Sequence, residues 1–210
     1  MKINDKISEI VYKKTHKKTI PFEFTIKTSD IYKRIIESLK NEGFLGRKVV
    51  IPINNNSSEY EFYFMYKIVK KPNFFTAGAI EMYLFSNMEY ITEDIYTEYY
   101  EYGFYNIYEE LQKDIKKYKY NKYRHGLILV CNINEENEYS DKFIYESPYS
   151  ETGTVILPVC LIEKTKKVYV TTIVTNNKSV LYETLYKGLR KDFVKVISEH
   201  CDMNNEKDEK

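Results

Sequence analysis

The sequence contains no tryptophan and, across 210 residues, only three histidines, three cysteines, seven glycines and five prolines. Each shortage removes a class of function. Cys131, Cys160 and Cys201 are far apart and form no C-x-x-C pair, so neither a zinc knuckle nor a dithiol redox motif is encoded. Cys131 in LILVCNI and Cys160 in ILPVCLI sit inside apolar runs, where cysteine behaves as a small buried hydrophobe. His16, His125 and His200 make no H-x-x-x-H or H-E-x-x-H spacing. His200, Cys201 and Asp202 are consecutive, and adjacent side chains rarely face one ion, so no metal and no cofactor is expected. Arg124-His125-Gly126 resembles the Arg-His-Gly signature of the histidine phosphatases, but it leads into a strand and lacks the hydroxyl residue that follows in that family. It reads as a basic helix end running into a strand that Gly126 opens.

The glycines fall in no phosphate-cradling pattern, neither G-x-G-x-x-G nor G-x-x-x-x-G-K-[ST], and no G-x-S-x-G elbow is present. No apolar run approaches the roughly 18 residues a membrane span needs. MKINDKISEIVYKK lacks an apolar signal core, so the expectation is a reduced, cytoplasmic protein with no membrane partner. Charge of one sign is also missing. With 32 Lys plus Arg against 31 Asp plus Glu, the net charge of +1 gives no global attraction for nucleic acid, and any such binding must come from a local patch.

What the chain has is aromatics: 22 Tyr and 11 Phe, with 43% hydrophobic residues overall, which excludes wholesale disorder. A chain of this length buries roughly 70% of its unfolded surface, enough for a sizeable core. Abundant Lys, Ile, Asn, Glu and Tyr beside scarce Ala, Gly, Pro and Trp reflect an AT-rich genome, as in a low-GC bacterium, its phages or plasmids, or a large virus.

Residues 1–18 read as a basic arm, 19–200 as one α+β domain and 201–210 as a disordered polar tail. Period-two alternation from Ile20 to Ile26 marks a strand. Ser29 is placed to cap a helix with Ile31, Ile35, Ile36 and Leu39 on one stripe, ending near Gly43. Strands follow at 48–54, 60–69 and 79–85. In the second of these, Tyr60, Phe62, Phe64, Tyr66 and Ile68 share a face. LILVCNI (127–133) is apolar on both faces and therefore central. Residues 134–153 read as a long polar loop, 155–162 and 168–174 as a hairpin, and 179–199 as an amphipathic C-terminal helix. Pro158 cannot donate a ladder bond, so its strand needs a bulge or a free side there. The expected sheet is antiparallel or mixed, of about 6–7 strands, with 3–4 helices on one side.

Two adjoining segments carry opposite charge. Residues 89–110 hold seven acids, seven tyrosines and no Lys or Arg, whereas 113–124 hold six cations with Tyr118, Tyr120 and Tyr123 among them. Helices are expected over about 92–101 and 104–119. The first segment suits a protein-facing surface, because tyrosine supplies contact area at low entropy cost. Glu93, Asp94, Tyr96, Glu98, Tyr99, Tyr100 and Tyr102 are the candidate partner-binding residues. The second offers charge and stacking planes to nucleic acid through Lys113, Lys116, Lys117, Lys119, Tyr120, Lys122 and Arg124. Glu146, Glu151 and Glu163 with Lys164 and Lys166 are the nearest approach to a nuclease-like carboxylate site, but Glu163-Lys164 lacks the intervening residue and falls in a turn. The expectation is a small interaction protein engaging a macromolecular, most naturally protein, partner. It would be an inhibitor, immunity or accessory factor of a virus, phage or mobile element. The alternative is a nucleic-acid-binding, nuclease-like protein. No catalytic residue is assigned, and exposed aromatics leave room for a homodimer.

Overall fold

Strands that are apolar on both faces must be covered on both faces, and this requirement shapes the molecule. The computed structural model describes residues 19–53, 58–71, 77–100, 111, 113, 123–146, 154–171 and 180–204. In chain order these form β1 (Phe22–Ile26), α1 (Ile31–Asn41), β2 (Leu45–Ile53), β3 (Ser58–Lys70), β4 (Gly78–Met88), α2 (Glu93–Tyr100), β5 (Tyr123–Ile133), α3 (Glu138–Tyr145), β6 (Thr154–Ile162), β7 (Lys167–Val170), α4 (Val180–Ile197) and β8 (Cys201–Met203). The expected basic arm (1–18), the turn at 54–57, most of the expected second acidic-to-basic helix and the last six residues lie outside the described residues.

The eight strands make one mixed sheet in the order β2-β3-β4-β5-β6-β7-β1-β8. The central trio β4, β5 and β6 is parallel, and every other neighbouring pair is antiparallel. The fold is α+β with a mixed sheet, as the sequence indicated, but with eight strands where six or seven were expected. The additional strand is β8: Cys201–Met203 pair with Ile26–Phe24 instead of starting the polar tail.

The helices are not on one side. β4 shows why: Ile80, Met82 and Leu84 point to one face and Tyr83 and Phe85 to the other, all essentially inaccessible. On the first face Ile91, Ile95 and Tyr96 of the α2 region and Phe143 and Ile144 of α3 cover Phe62, Phe64, Met82, Leu127 and Leu129. On the second, Ile31, Ile35 and Leu39 of α1 and Leu189, Phe193 and Ile197 of α4 cover Met65, Tyr83, Phe85, Ile128 and Val130. Each fully buried side chain of this kind contributes roughly 1.5–3 kcal/mol. Both parallel connections, β4 to β5 and β5 to β6, carry their helices over the first face, as a common crossover hand requires.

Local details follow from residue chemistry. The N-cap of α1 is Asp30, in the left-handed region at φ 55°, not Ser29, whose carbonyl accepts from Arg34 Nε. Pro158 accepts from Thr171 N just beyond the β7 ladder, which starts at Val159. Its missing N–H points the same way as that carbonyl, away from β5, and the Thr171 carbonyl that would have received it accepts from the Tyr186 hydroxyl instead. Gly126 lies inside β5, where a Cβ would stand 2.7 Å from the Leu189 side chain; glycine lets α4 approach the sheet. The three cysteines are free and buried, and burial pushes the Cys131 thiol up to about 12, so it packs instead of reacting.

Candidate interaction surface

The loops leaving β4 and β5 are stitched together before their helices begin. Asn134 and Glu135 donate their backbone N–H groups to the Glu89 carbonyl, and Asn134 Nδ2 donates to Glu89 Oε1 at 2.9 Å. Asn137 Nδ2 reaches the Ile91 carbonyl at 2.7 Å. Each helix is then capped. Thr92 Oγ1 accepts from Ile95 N and shares a hydrogen bond with the Tyr60 hydroxyl, while Asn137 and Ser140 form a reciprocal capping box at α3. Acids fill both first turns, Glu93 and Asp94 in α2 and Glu138 and Asp141 in α3, where the helix dipole favours them.

The two helices meet through aromatic rings. Tyr96 and Tyr139 lie 5.8 Å apart, and the Lys142 ammonium sits 5.5 and 5.2 Å over the two rings. Tyr96 donates its hydroxyl to Glu146 at 3.1 Å. The Tyr139 phenol is pushed up, first by desolvation and then by the nearby carboxylates of Glu93 and Glu138. Glu89, Glu93, Asp94, Glu135, Glu136, Glu138 and Asp141 thus lie along a tied pair of helix starts, with Tyr90 half exposed beside them. Lys164, from the β6–β7 turn, reaches Glu135 at 2.7 Å. The opposite layer is mixed, with a basic excess: Lys33, Arg34 and Lys40 against Glu37 on α1, and Lys187, Arg190, Lys191 and Lys195 against Glu183 and Asp192 on α4.

Of the residues singled out in the sequence, Glu93 is exposed and Asp94 half-buried, as a contact surface requires. Tyr96 and Glu98 are buried, at 4% and 0% exposure, and do not belong to that surface. Ile91, Ile95 and Glu98 are four and three residues apart, so the helical period turns Glu98 inward with the apolar stripe. The side chains of Tyr99 and Tyr100, and all of Tyr102, lie outside the described residues, as do Lys116, Lys117, Lys119, Tyr120 and Lys122. Lys113 and Arg124 are exposed. The α3 acids and Tyr139 had no place in the sequence-based expectation, because 134–153 read as loop. The Asn137–Ser140 cap before Phe143 and Ile144 is the signal that marks the helix.

The other candidates resolve as structural. His125 is 2% exposed inside β5, which is no phosphatase loop. Glu163 accepts from Asn132 Nδ2 at 2.8 Å, and the same amide donates to Asn87 at 2.7 Å, tying the ends of all three parallel strands. Glu151 lies outside the described residues. Among the described residues no group of His, Cys, Asp and Glu is arranged to hold a metal ion, and no helix is long and apolar enough to cross a membrane. No family model matches the chain, and comparison with curated proteins and with solved structures returns no match.

Proposed function

We propose that this chain is an interaction protein that docks a macromolecular partner with a basic surface, most naturally a protein, through the acidic starts of α2 and α3. The supporting observation is the convergence of Glu89, Tyr90 and Glu135, just before two helices that share one core, with Glu93, Glu138 and Tyr139 on those helices. Charge of one sign on a fixed frame steers encounter and sets register, while tyrosine supplies the desolvated contact. Such a face fits an inhibitor, immunity or accessory factor that covers the basic working surface of another macromolecule.

The test is capture from a lysate of the source cells on immobilised protein, followed by affinity measurement with the purified partner. Glu89→Lys, Glu93→Lys and Glu138→Lys together, all at exposed positions, should weaken binding by roughly tenfold or more, equivalent to about 1.4 kcal/mol. Unchanged capture would overturn the reading. Exposed Lys113 and Arg124 support the second reading, nucleic-acid contact through 113–124. Anisotropy of labelled oligonucleotides separates the two: salt-sensitive binding lost in a Lys116/Lys117/Lys119 to Ala variant favours nucleic acid.

A further inference from the structure

The sheet ends differently at its two edges. β8, at one end, is three residues long and leaves little open backbone. β2, at the other, runs for nine residues, about 30 Å, and among the described residues no strand pairs with its outer side. We propose that β2 pairs with β2 of a second copy, antiparallel about a twofold axis at Val49, joining two sheets into one.

The outward backbone groups are those of the even-numbered residues. Proline within a sheet is placed with its missing N–H turned from the neighbouring strand. Pro52 therefore turns its nitrogen away from β3, and the alternation of the ladder carries the same orientation to Val50, Lys48 and Gly46. The Arg47 side chain agrees: its Nη1 donates to the Lys48 carbonyl at 3.4 Å, a group reachable from the open side.

The occupant follows from register and charge. With Val49 on the axis, Lys48 stands opposite the partner's Val50 and Val50 opposite the partner's Lys48, and each pair exchanges two backbone hydrogen bonds. Pro52 falls opposite the partner's Gly46 at the ends of the ladder, where its missing N–H removes one bond. Moving the axis by one residue is worse either way. An axis at Lys48 sets like charges directly against each other, and an axis at Val50 brings Pro52 against the partner's Lys48 and shortens the ladder.

Side chains complete the match. Val49 and Ile51 are buried on the first face, so Lys48 and Val50 project from the second. There Lys48 pairs with Glu61 at 2.8 Å, and Glu61 is the β3 neighbour of Val50. In the dimer the partner's Lys48 arrives on the other side of Val50, so Glu61 meets ammoniums from both chains. Val50, 51% exposed in the single chain, is covered by the lysine stems. Every contact occurs twice, which favours a second copy over an unrelated strand. The edge uses none of the acids on the α2–α3 face.

The test is sedimentation equilibrium of the full chain from about 5 µM to 1 mM, the range in which an interface smaller than standard size dissociates. Expected is a reversible monomer–dimer equilibrium. Val50→Lys, at an exposed position beside Glu61, brings like charges face to face twice across the axis and should weaken dimerisation by roughly tenfold or more. Adding Lys48→Glu turns both clashes into opposite-charge pairs and should restore the dimer. Hydrogen exchange on the wild-type chain gives a second reading. The Lys48 and Val50 amides should gain protection as concentration rises, while those of Val49 and Ile51, turned towards β3, should not. A chain that stays monomeric to about 1 mM, a limit that covers weak edge pairing, would overturn the proposal. So would a dimer indifferent to Val50→Lys, a double variant folded by circular dichroism yet monomeric, or edge amides whose exchange ignores concentration.

Discussion

The two sides of the sheet use acidic residues in opposite ways. Over the first face Glu89, Glu93, Glu135 and Glu138 stand at or just before helix starts, exposed, with Asn134 donating to Glu89, Lys164 paired to Glu135, and Glu93 and Glu138 in first turns that the helix dipole favours. Over the second face Glu81 lies beneath the helices on a central strand, with the Tyr83 hydroxyl as its hydrogen-bond donor. The charge on the residue is the same, but solvation decides its consequence. An exposed acid costs little to ionise and projects a field, so it suits recognition of a large basic surface. A buried acid resists ionisation, projects little field and is held as part of the packed interior.

The strongest way to break this contrast is to remove one layer's anchor at a time. Phe143 of α3 and Phe193 of α4 are both fully buried, on opposite faces. Phe143→Ala and Phe193→Ala should each destabilise by about 3–5 kcal/mol in denaturant unfolding. With the sheet between them the two losses should add to within about 0.5 kcal/mol. Short of global unfolding, the first should abolish partner capture and the second should spare it.

A smaller effect probes the seam between the parallel strands. Asn132→Leu removes the amide shared by Asn87 and Glu163, whose exposed acceptors can turn to solvent, and should cost about 0.5–1.5 kcal/mol by chemical denaturation. Asn132 and Asn87 also exemplify what composition hides, since a polar pair inside an apolar strand reads in sequence as an interruption.

The pH response sharpens the comparison further. The Glu81 carboxyl is raised above its usual value of 4.5 in the folded protein. The fold therefore holds the proton more tightly than the unfolded chain. The stability this gives is complete below the unfolded value and is lost as pH rises through the folded one. Glu81→Gln should accordingly raise Tm near pH 7 and lose that advantage as pH falls towards 4, as followed by calorimetry at a series of pH values. Charge reversal at Glu93 or Glu138 should show the least effect on stability, below about 1 kcal/mol each, from the helix-dipole contribution at an exposed first turn. A large loss there would mean that the acidic face is part of the fold's support and not a free surface.

How much of this was legible in the sequence depended on the length and patterning of each element. The alternation from Tyr60 to Ile68 and the double-sided run Leu127 to Ile133 place β3 and β5 correctly, because period two and continuous apolarity each have a direct packing consequence. The same double-sided run also requires cover on both faces, which an arrangement of helices on one side does not provide. α3 was missed because eight residues bury little beyond Ser140, Phe143 and Ile144, too few to show a period. β8 offers only Cys201 inward, and its position comes from pairing with β1, a contact remote in sequence. In the candidate surface, Glu93 and Asp94 were visible as a charge cluster. The inward turn of Tyr96 and Glu98 was readable from their phase relative to Ile91 and Ile95. The partnership of α2 with α3 was not readable, since it arises from two crossovers lying side by side. Glu81 was visible as a charge within AIEMYLF, but only the topology brings Glu42 and Asp192 to it.

The central claim is that exposed acids on the α2–α3 face carry the recognition. Its most direct test is the affinity of the captured partner for the wild-type chain and for the Glu89→Lys/Glu93→Lys/Glu138→Lys variant, measured across a range of salt concentration. The account predicts that wild-type affinity falls as salt rises and that the variant, still folded by circular dichroism, binds weakly with a flattened salt dependence. Equal affinity and equal salt dependence in the two proteins would contradict it.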